Sequence, residues 1–196
     1  ANQFPNLATL STNFESLLEG RVPYNMPANT LTANGDMLKG SYTILRTSLD
    51  SLLAGSACLF FNGINLVANE IDWPSLLGDQ ALLIVEFTIV RVSNTTINYS
   101  FTGSVYSSNP TGGIGRQLTQ SGEIDIDTTT GLTLSTTAYS IDVQGKANAV
   151  GLLECKAFEL VYCSFGSASS SNAGIQYIVP FVTTAGTTSY ANIIGS

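Results

Sequence analysis

The chain has 196 residues, of which 44% are hydrophobic and 11% charged, with a formal net charge of −7 at pH 7. A chain of this length can bury a sufficient core as one domain. Its Lys and Arg residues form no basic cluster, so the sequence argues against nucleic-acid binding. No apolar run approaches the ~20 residues of a membrane-spanning helix, which argues against membrane insertion.

The low charge density raises the question of what covers the apolar surface. The mean hydropathy is +0.23, which is high for a soluble monomer. We expect part of the surface to be covered in an assembly, and the alternative is that the chain has a large β core.

Residues 1–28 are expected to form an N-terminal arm or attachment segment. They contain the only stretch that predicts a helix, a short one around Phe14, Leu17 and Leu18 that ends at Gly20. The sequence therefore predicts either a short helix or an arm before the main domain.

The segment from residue 29 to 196 has the pattern of a β domain. Short β-type stretches alternate with clusters of Gly, Asn, Asp, Ser and Pro, which predicts a sandwich or barrel. In the stretch ACLFFNGINLVA, Asn62 and Gly63 supply the two positive-φ positions of a type I′ turn. That turn predicts a hairpin with Phe61 opposite Ile64.

The stretch LLIVEFTIVRVSNTTINYSFTGSV predicts two further strands with alternating apolar residues. A loop of odd length between them would bring their apolar faces together, for example with Ile89 beside Phe101 and Val85 beside Val105. Arg91 lies next to this loop, where its guanidinium is expected to reach water or a carboxylate of a neighbouring subunit. The outer face of the hairpin stays partly apolar, which indicates a partner.

More strands follow towards the C-terminus. They are expected at residues 124–126, 132–134, 139–143 and 153–163, and within the charge-free segment after Glu159, around residues 175–182. The stretch SSNPTGGIGRQLTQSG between them predicts a long surface loop. The total of roughly eight strands is enough for two sheets.

The three cysteines, Cys58, Cys155 and Cys163, are expected to be free thiols. A continuous strand would hold the last two about 26 Å apart, too far for a disulfide. Free cysteine packs as a small hydrophobe, so buried thiols are the expected state.

Histidine is absent, which removes the Ser-His-Asp and Cys-His arrangements of hydrolases. The sequence accordingly predicts no enzyme. The carboxylates of Glu123, Asp125 and Asp127 share one strand face with a spacing of ~7 Å, which suits Ca²⁺ ligands or a glycosidase pair. A solvated outer face opposite Ile124 and Ile126 is the commoner role of such a row. Calcium is the one cofactor that the sequence suggests.

Four stretches together resemble structural proteins of tailed bacteriophages that carry a jelly-roll knob similar to tumour necrosis factor and C1q heads. They are NTLTANGDMLKGSYTI, the FNG hairpin, VEFTIVRVSNTTINYSFTGSV and LTLSTTAYSIDVQGKANAVGLLECKAFELVY, and they span about residues 29 to 162. The resemblance implies an all-β antiparallel jelly-roll sandwich that forms a homotrimer. It also implies a place in the virion, on the capsid surface or a fibre, and contacts with other virion proteins or a host receptor or glycan.

Three residues of the projecting loop are candidate contacts for such a receptor. Tyr106, Asn109 and Arg116 combine an aromatic ring, an amide and a guanidinium, which suits the recognition of sugars or proteins. One alternative function is a main capsid jelly roll that tiles a shell. Another is a Ca²⁺-dependent lectin or carbohydrate-active enzyme that uses Glu123, Asp125 and Asp127.

Overall fold

The structure is a computed structural model, and every strand pairing among its described residues is antiparallel. It describes residues 7–8, 13–18, 20, 22–47, 55–66, 71–72, 81–107, 117–127, 131–149, 152–164 and 175–178. The strands are β1 (Leu7–Ala8), β2 (Glu15–Ser16), β3 (Tyr24–Met26), β4 (Met37–Arg46), β5 (Gly55–Phe61), β6 (Ile64–Asn65), β7 (Ile71–Asp72), β8 (Ala81–Arg91), β9 (Thr96–Ser107), β10 (Gln117–Asp125), β11 (Tyr139–Ala147), β12 (Leu153–Cys163) and β13 (Ile175–Ile178). The all-β prediction is thereby confirmed. Within the described ranges no helix is long and apolar enough to span a membrane.

The strands form two sheets. The larger sheet has the order β1-β12-β4-β8-β9-β10, and β13 also pairs with β12. The smaller sheet has the order β2-β11-β5-β6, with β3 also paired to β11 and β7 to β5. The architecture is consistent with a β-sandwich, in which each sheet buries one face against the other.

The side chains of each strand point alternately towards the core and towards solvent. On β8 the inward side chains Leu83, Val85 and Ile89 are fully buried, whereas the outward Glu86 is exposed. In the smaller sheet, the ring of Phe61 stacks on Tyr139 with ring centroids 5.0 Å apart. Each buried large apolar side chain contributes about 1.5–3 kcal/mol to folding.

Both predicted hairpins are present. Asn62 and Gly63 have φ values of 46° and 81°, and Phe61 pairs with Ile64 as expected. Five residues, an odd number, lie between Arg91 and its partner Ile97, so the apolar faces of β8 and β9 coincide. The observed register differs by two residues from the predicted one, because Ile89 pairs with Tyr99 rather than with Phe101.

The predicted N-terminal helix is wrong. Residues 15–16 instead form β2, which pairs with β11, and the Leu17 amide donates to the Val143 carbonyl at 2.8 Å. A helix of one or two turns is unstable on its own, whereas the edge of β11 offers backbone hydrogen-bond partners. Leu17 and Leu18 are buried in the same hydrophobic cluster as residues beyond 29, and the division at residue 28 stays a prediction.

Two other expectations need correction. Residues 132–134 are not a strand, although Leu132 and Leu134 are buried in the core. The predicted surface loop is too long at its C-terminal end, because β10 already begins at Gln117 and pairs with β9. Pairing to the free edge of β9 overrides the turn-forming composition of this stretch.

The remaining expectations agree with the structure where it describes them. The strand at 153–163 has the predicted bounds, and residues 175–178 form β13. The part of the charge-free segment after residue 178 lies outside the described residues. Cys58 and Cys155 are buried free thiols, and Cys163 is a free thiol that is half-buried.

Gly40 provides a test of the packing between β4 and β8. A Cβ at this position would overlap the ring of Phe87 and the backbone oxygen of Glu159. We therefore expect Gly40→Ala to lower the free energy of unfolding by about 1–3 kcal/mol, measured by urea denaturation. In a Phe87→Leu background the same substitution should cost less, because the ring is gone. An equal loss in both backgrounds would contradict the role of the ring.

Candidate functional site

The outer face of the larger sheet points away from the smaller sheet and carries two surface features, a groove and an apolar patch. A groove of about 460 Å³ crosses this face over β12, β4, β8 and β9. It is lined by Lys39, Gly40, Ser41, Glu86, Phe87, Thr88, Ser100, Phe101, Thr102, Glu159 and Val161. Its outward side chains are thus mainly hydroxyls, two carboxylates and one ammonium.

Strand register brings the charged groups of the groove together. Ser41 on β4 pairs with Glu86 on β8 and with Glu159 on β12. Neighbouring strands lie ~4.8 Å apart, so the Cα atoms of the two glutamates are about 10 Å apart, with the Ser41 hydroxyl between them. Lys39 lies two residues before Ser41 on β4, so both side chains are on the outer face. The side chains of Lys39, Glu86 and Glu159 are all exposed. The groove therefore offers hydrogen-bond donors and acceptors to a ligand from solvent.

Hydroxyl groups continue the groove towards β9. Thr102 pairs with Glu86, and Ser100 pairs with Thr88 in the next outward row. Val161, opposite Lys39, adds an apolar contact on β12. The groove is therefore polar and wide rather than a closed hydrophobic pocket.

An apolar patch borders the groove on the same face. We call it the outer strip, and it consists of Leu45, Leu82, Ile84 and Tyr106. Leu45 pairs with Leu82, which in turn pairs with Tyr106, so the strip crosses β4, β8 and β9. The exposed fractions of Ile84 and Tyr106 are 36% and 54%. Apolar side chains gathered on an outward sheet face indicate a contact surface.

The predicted receptor contacts are only partly described. Tyr106 is exposed, as expected for a contact residue, but it lies on β9 and belongs to the outer strip. Asn109 and Arg116 lie outside the described residues. Their role as contacts stays a prediction.

The three predicted calcium ligands lie at the end of β10. Glu123, Asp125 and Asp127 are exposed, Ile124 is half-buried and Ile126 is buried. Only the first two acids are on the strand, and the Asp127 amide donates to Oδ1 of Asp125 at 3.1 Å. In the described part of the chain, no three acidic or cysteine side chains are grouped so as to hold a metal ion.

Arg91 has a structural role that its sequence position did not indicate. The prediction that its guanidinium reaches water is wrong, since Arg91 is only 8% exposed. Its Nη1 donates to the Leu31 carbonyl at 2.7 Å, and its Nε donates to the Ser93 carbonyl at 3.1 Å. Buried guanidinium groups need such partners, so Arg91 joins the segment before β4 to the β8–β9 hairpin.

The same junction contains a buried carboxylate, Asp36. Its Oδ2 accepts hydrogen bonds from the amides of Thr32 and Ala33, both at 2.8 Å. Its backbone oxygen accepts from the Arg91 amide at 2.9 Å, and Ser164 Oγ donates to Oδ1 at 3.2 Å. Asp36 thus fixes the turn that leads into β4, and we assign it no role in ligand binding.

A second buried carboxylate, Asp142, lies on β11. It accepts a hydrogen bond from Ser16 Oγ at 2.6 Å and another from Gln144 Nε2 at 2.8 Å. Burial raises the pKa of Asp142 above its ordinary value, while the hydrogen bonds from Ser16 and Gln144 act in the opposite direction. The sequence contains no histidine that could make this Asp–Ser pair a hydrolase site, so we interpret the cluster as the anchor of β2.

Comparison of the chain with protein-family models, with curated proteins and with solved structures finds no match. The outer strip suits burial against another protein surface, and the groove suits a ligand rich in hydroxyl groups.

Asp142 predicts a pH dependence of stability. Because its folded-state pKa is raised, the folded protein binds the proton more tightly, and this group should stabilise the fold as the pH falls through the folded pKa. We expect Asp142→Asn to lack that contribution. Melting temperatures measured between about pH 7 and pH 4 should rise more on acidification, or fall less, for the wild type than for the variant. Parallel curves for the two proteins would contradict the assignment.

Proposed function

We propose that this chain is a structural protein of a virion without catalytic activity. In this proposal it is a jelly-roll head that forms a homotrimer on a capsid surface or fibre. There it attaches to other virion proteins or to a receptor of the host cell. Three features support the proposal: the strand order, the outer strip and the sequence resemblance to phage knob proteins.

The strand order supports a jelly roll. In a jelly roll of eight strands, the first pairs with the eighth, the second with the seventh, the third with the sixth and the fourth with the fifth. The same four pairs occur in this chain: β1 with β12, β2 with β11, β4 with β8, and β5 with β6. In this count the first to eighth strands are β1, β2, β4, β5, β6, β8, β11 and β12. In this interpretation β9 and β10 are additions that widen the larger sheet.

The outer strip is the observation that carries the assembly proposal. It places Leu82, Ile84 and Tyr106 on a sheet face that the smaller sheet does not cover. Burying such a face stabilises the assembly by about 25 cal/mol for each Å² of apolar surface removed from water. In a closed ring of three identical subunits, each subunit would bury its outer strip against a neighbouring subunit.

A trimeric head also gives a simple mechanism for attachment. Three equivalent sites on one rigid body raise weak individual contacts to a useful strength by avidity. The sheets hold the sites in fixed positions, and no catalytic group is needed.

The oligomeric state tests this proposal. Light scattering coupled to size exclusion should give about three times the 20.7 kDa chain mass at micromolar concentration. We expect Ile84→Lys to shift the mass to that of one chain, because it places an ammonium group within the buried strip.

Asn98→Lys is the matched control. Asn98 is exposed on the same sheet face but lies opposite Glu123, away from the strip, so the variant adds the same charge and should remain a trimer. A wild-type monomer at micromolar concentration would contradict the proposal. A trimer that withstands Ile84→Lys would place the interface elsewhere.

A further inference from the structure

We propose that the groove on the outer face of the larger sheet is a binding site for a neutral saccharide. This deepens the proposed function, since it names the ligand chemistry by which the head would recognise a receptor, and it rests on that function only for its biological meaning. The groove itself is defined by the geometry of β12, β4, β8 and β9.

The functional groups of the groove match those of a sugar. Carboxylates accept hydrogen bonds only, so the two oxygens of Glu86 or Glu159 can accept from the two hydroxyls of a vicinal diol. Lys39 donates only, and it can bind a hydroxyl or the ring oxygen. Ser and Thr hydroxyls both donate and accept, so they complete the pattern around a polyhydroxylated ring.

The shape and the apolar contact agree with this chemistry. A volume of about 460 Å³ lies within the range of small-molecule sites, roughly 300–1,000 Å³. Val161 is half-buried beside Lys39 and offers a surface for the C–H face of a sugar ring. The groove crosses four neighbouring strands and is therefore about 14 Å wide, so a trisaccharide can lie across it.

The charge of the groove selects among sugars. Two carboxylates and one ammonium line it, so an acidic sugar would meet net repulsion in addition to the cost of its own desolvation. The inference is therefore restricted to neutral saccharides.

Saturation-transfer NMR with defined sugars tests the site. The probes are maltotriose, cellotriose, mannotriose and tri-N-acetylchitotriose as neutral sugars, with 3′-sialyllactose as the acidic one. We expect at least one neutral trisaccharide to bind with a Kd of about 10 mM or lower, and sialyllactose to bind about tenfold more weakly or not at all. The inference is overturned if none of the neutral probes binds at about 10 mM, or if the protein prefers sialyllactose.

Variants locate the binding in the groove. Glu86→Gln and Glu159→Gln should each weaken the binding of the neutral sugar by about tenfold, because the amide replaces one acceptor with a donor. Glu123→Gln is the matched control, since Glu123 is exposed on the same face but does not line the groove. Melting temperatures confirm that each variant folds. If the two groove variants bind the sugar as the wild type does, the site is not in the groove.

Chain mass is measured on the same samples to separate the two proposals. A monomer that binds the neutral sugar contradicts the trimer and leaves the groove site in place. A trimer that binds none of the neutral sugars contradicts the groove site alone.

Discussion

Consecutive residue pairs join β4 to β8 along the whole of β4, from Met37 opposite Val90 to Arg46 opposite Ala81. Because side chains alternate, this register decides which residues face the smaller sheet, and a slip of one position would turn Glu86 into the core. The same rows continue onto β12 and β9. The core, the groove and the outer strip are therefore all consequences of one register.

Local signals in the sequence were sufficient where the chain determines its own conformation. The turn at Asn62 and Gly63 requires positive φ at two consecutive residues, and few sequences supply it. The odd number of residues between Arg91 and its partner Ile97 follows from the need to match two apolar faces. In contrast, residues 15–16 pair with β11, which is distant in the sequence, and the strand from Gln117 pairs with the edge of β9. No local pattern in either stretch shows the edge that it pairs with.

The candidate site was largely invisible in the sequence. The sequence predicts Tyr106 to be a contact residue of the projecting loop, whereas the structure places it on β9, in the outer strip. The groove combines residues between 39 and 161, and only the strand order makes Ser41 a neighbour of both Glu86 and Glu159. The sequence does not indicate the burial of Arg91 for a similar reason, since its carbonyl partner at Leu31 belongs to a segment 60 residues earlier.

In the proposed trimer, the outer strip is the contact surface between copies of this chain. Hydroxyl-radical footprinting, read by mass spectrometry, tests this contact directly when it is done at protein concentrations above and below the one at which the chain assembles. Oxidation of Tyr106 and Ile84 should fall on assembly, whereas that of Val22, which is 56% exposed outside the strip, should not change. Equal oxidation of Tyr106 at both concentrations would contradict the claim.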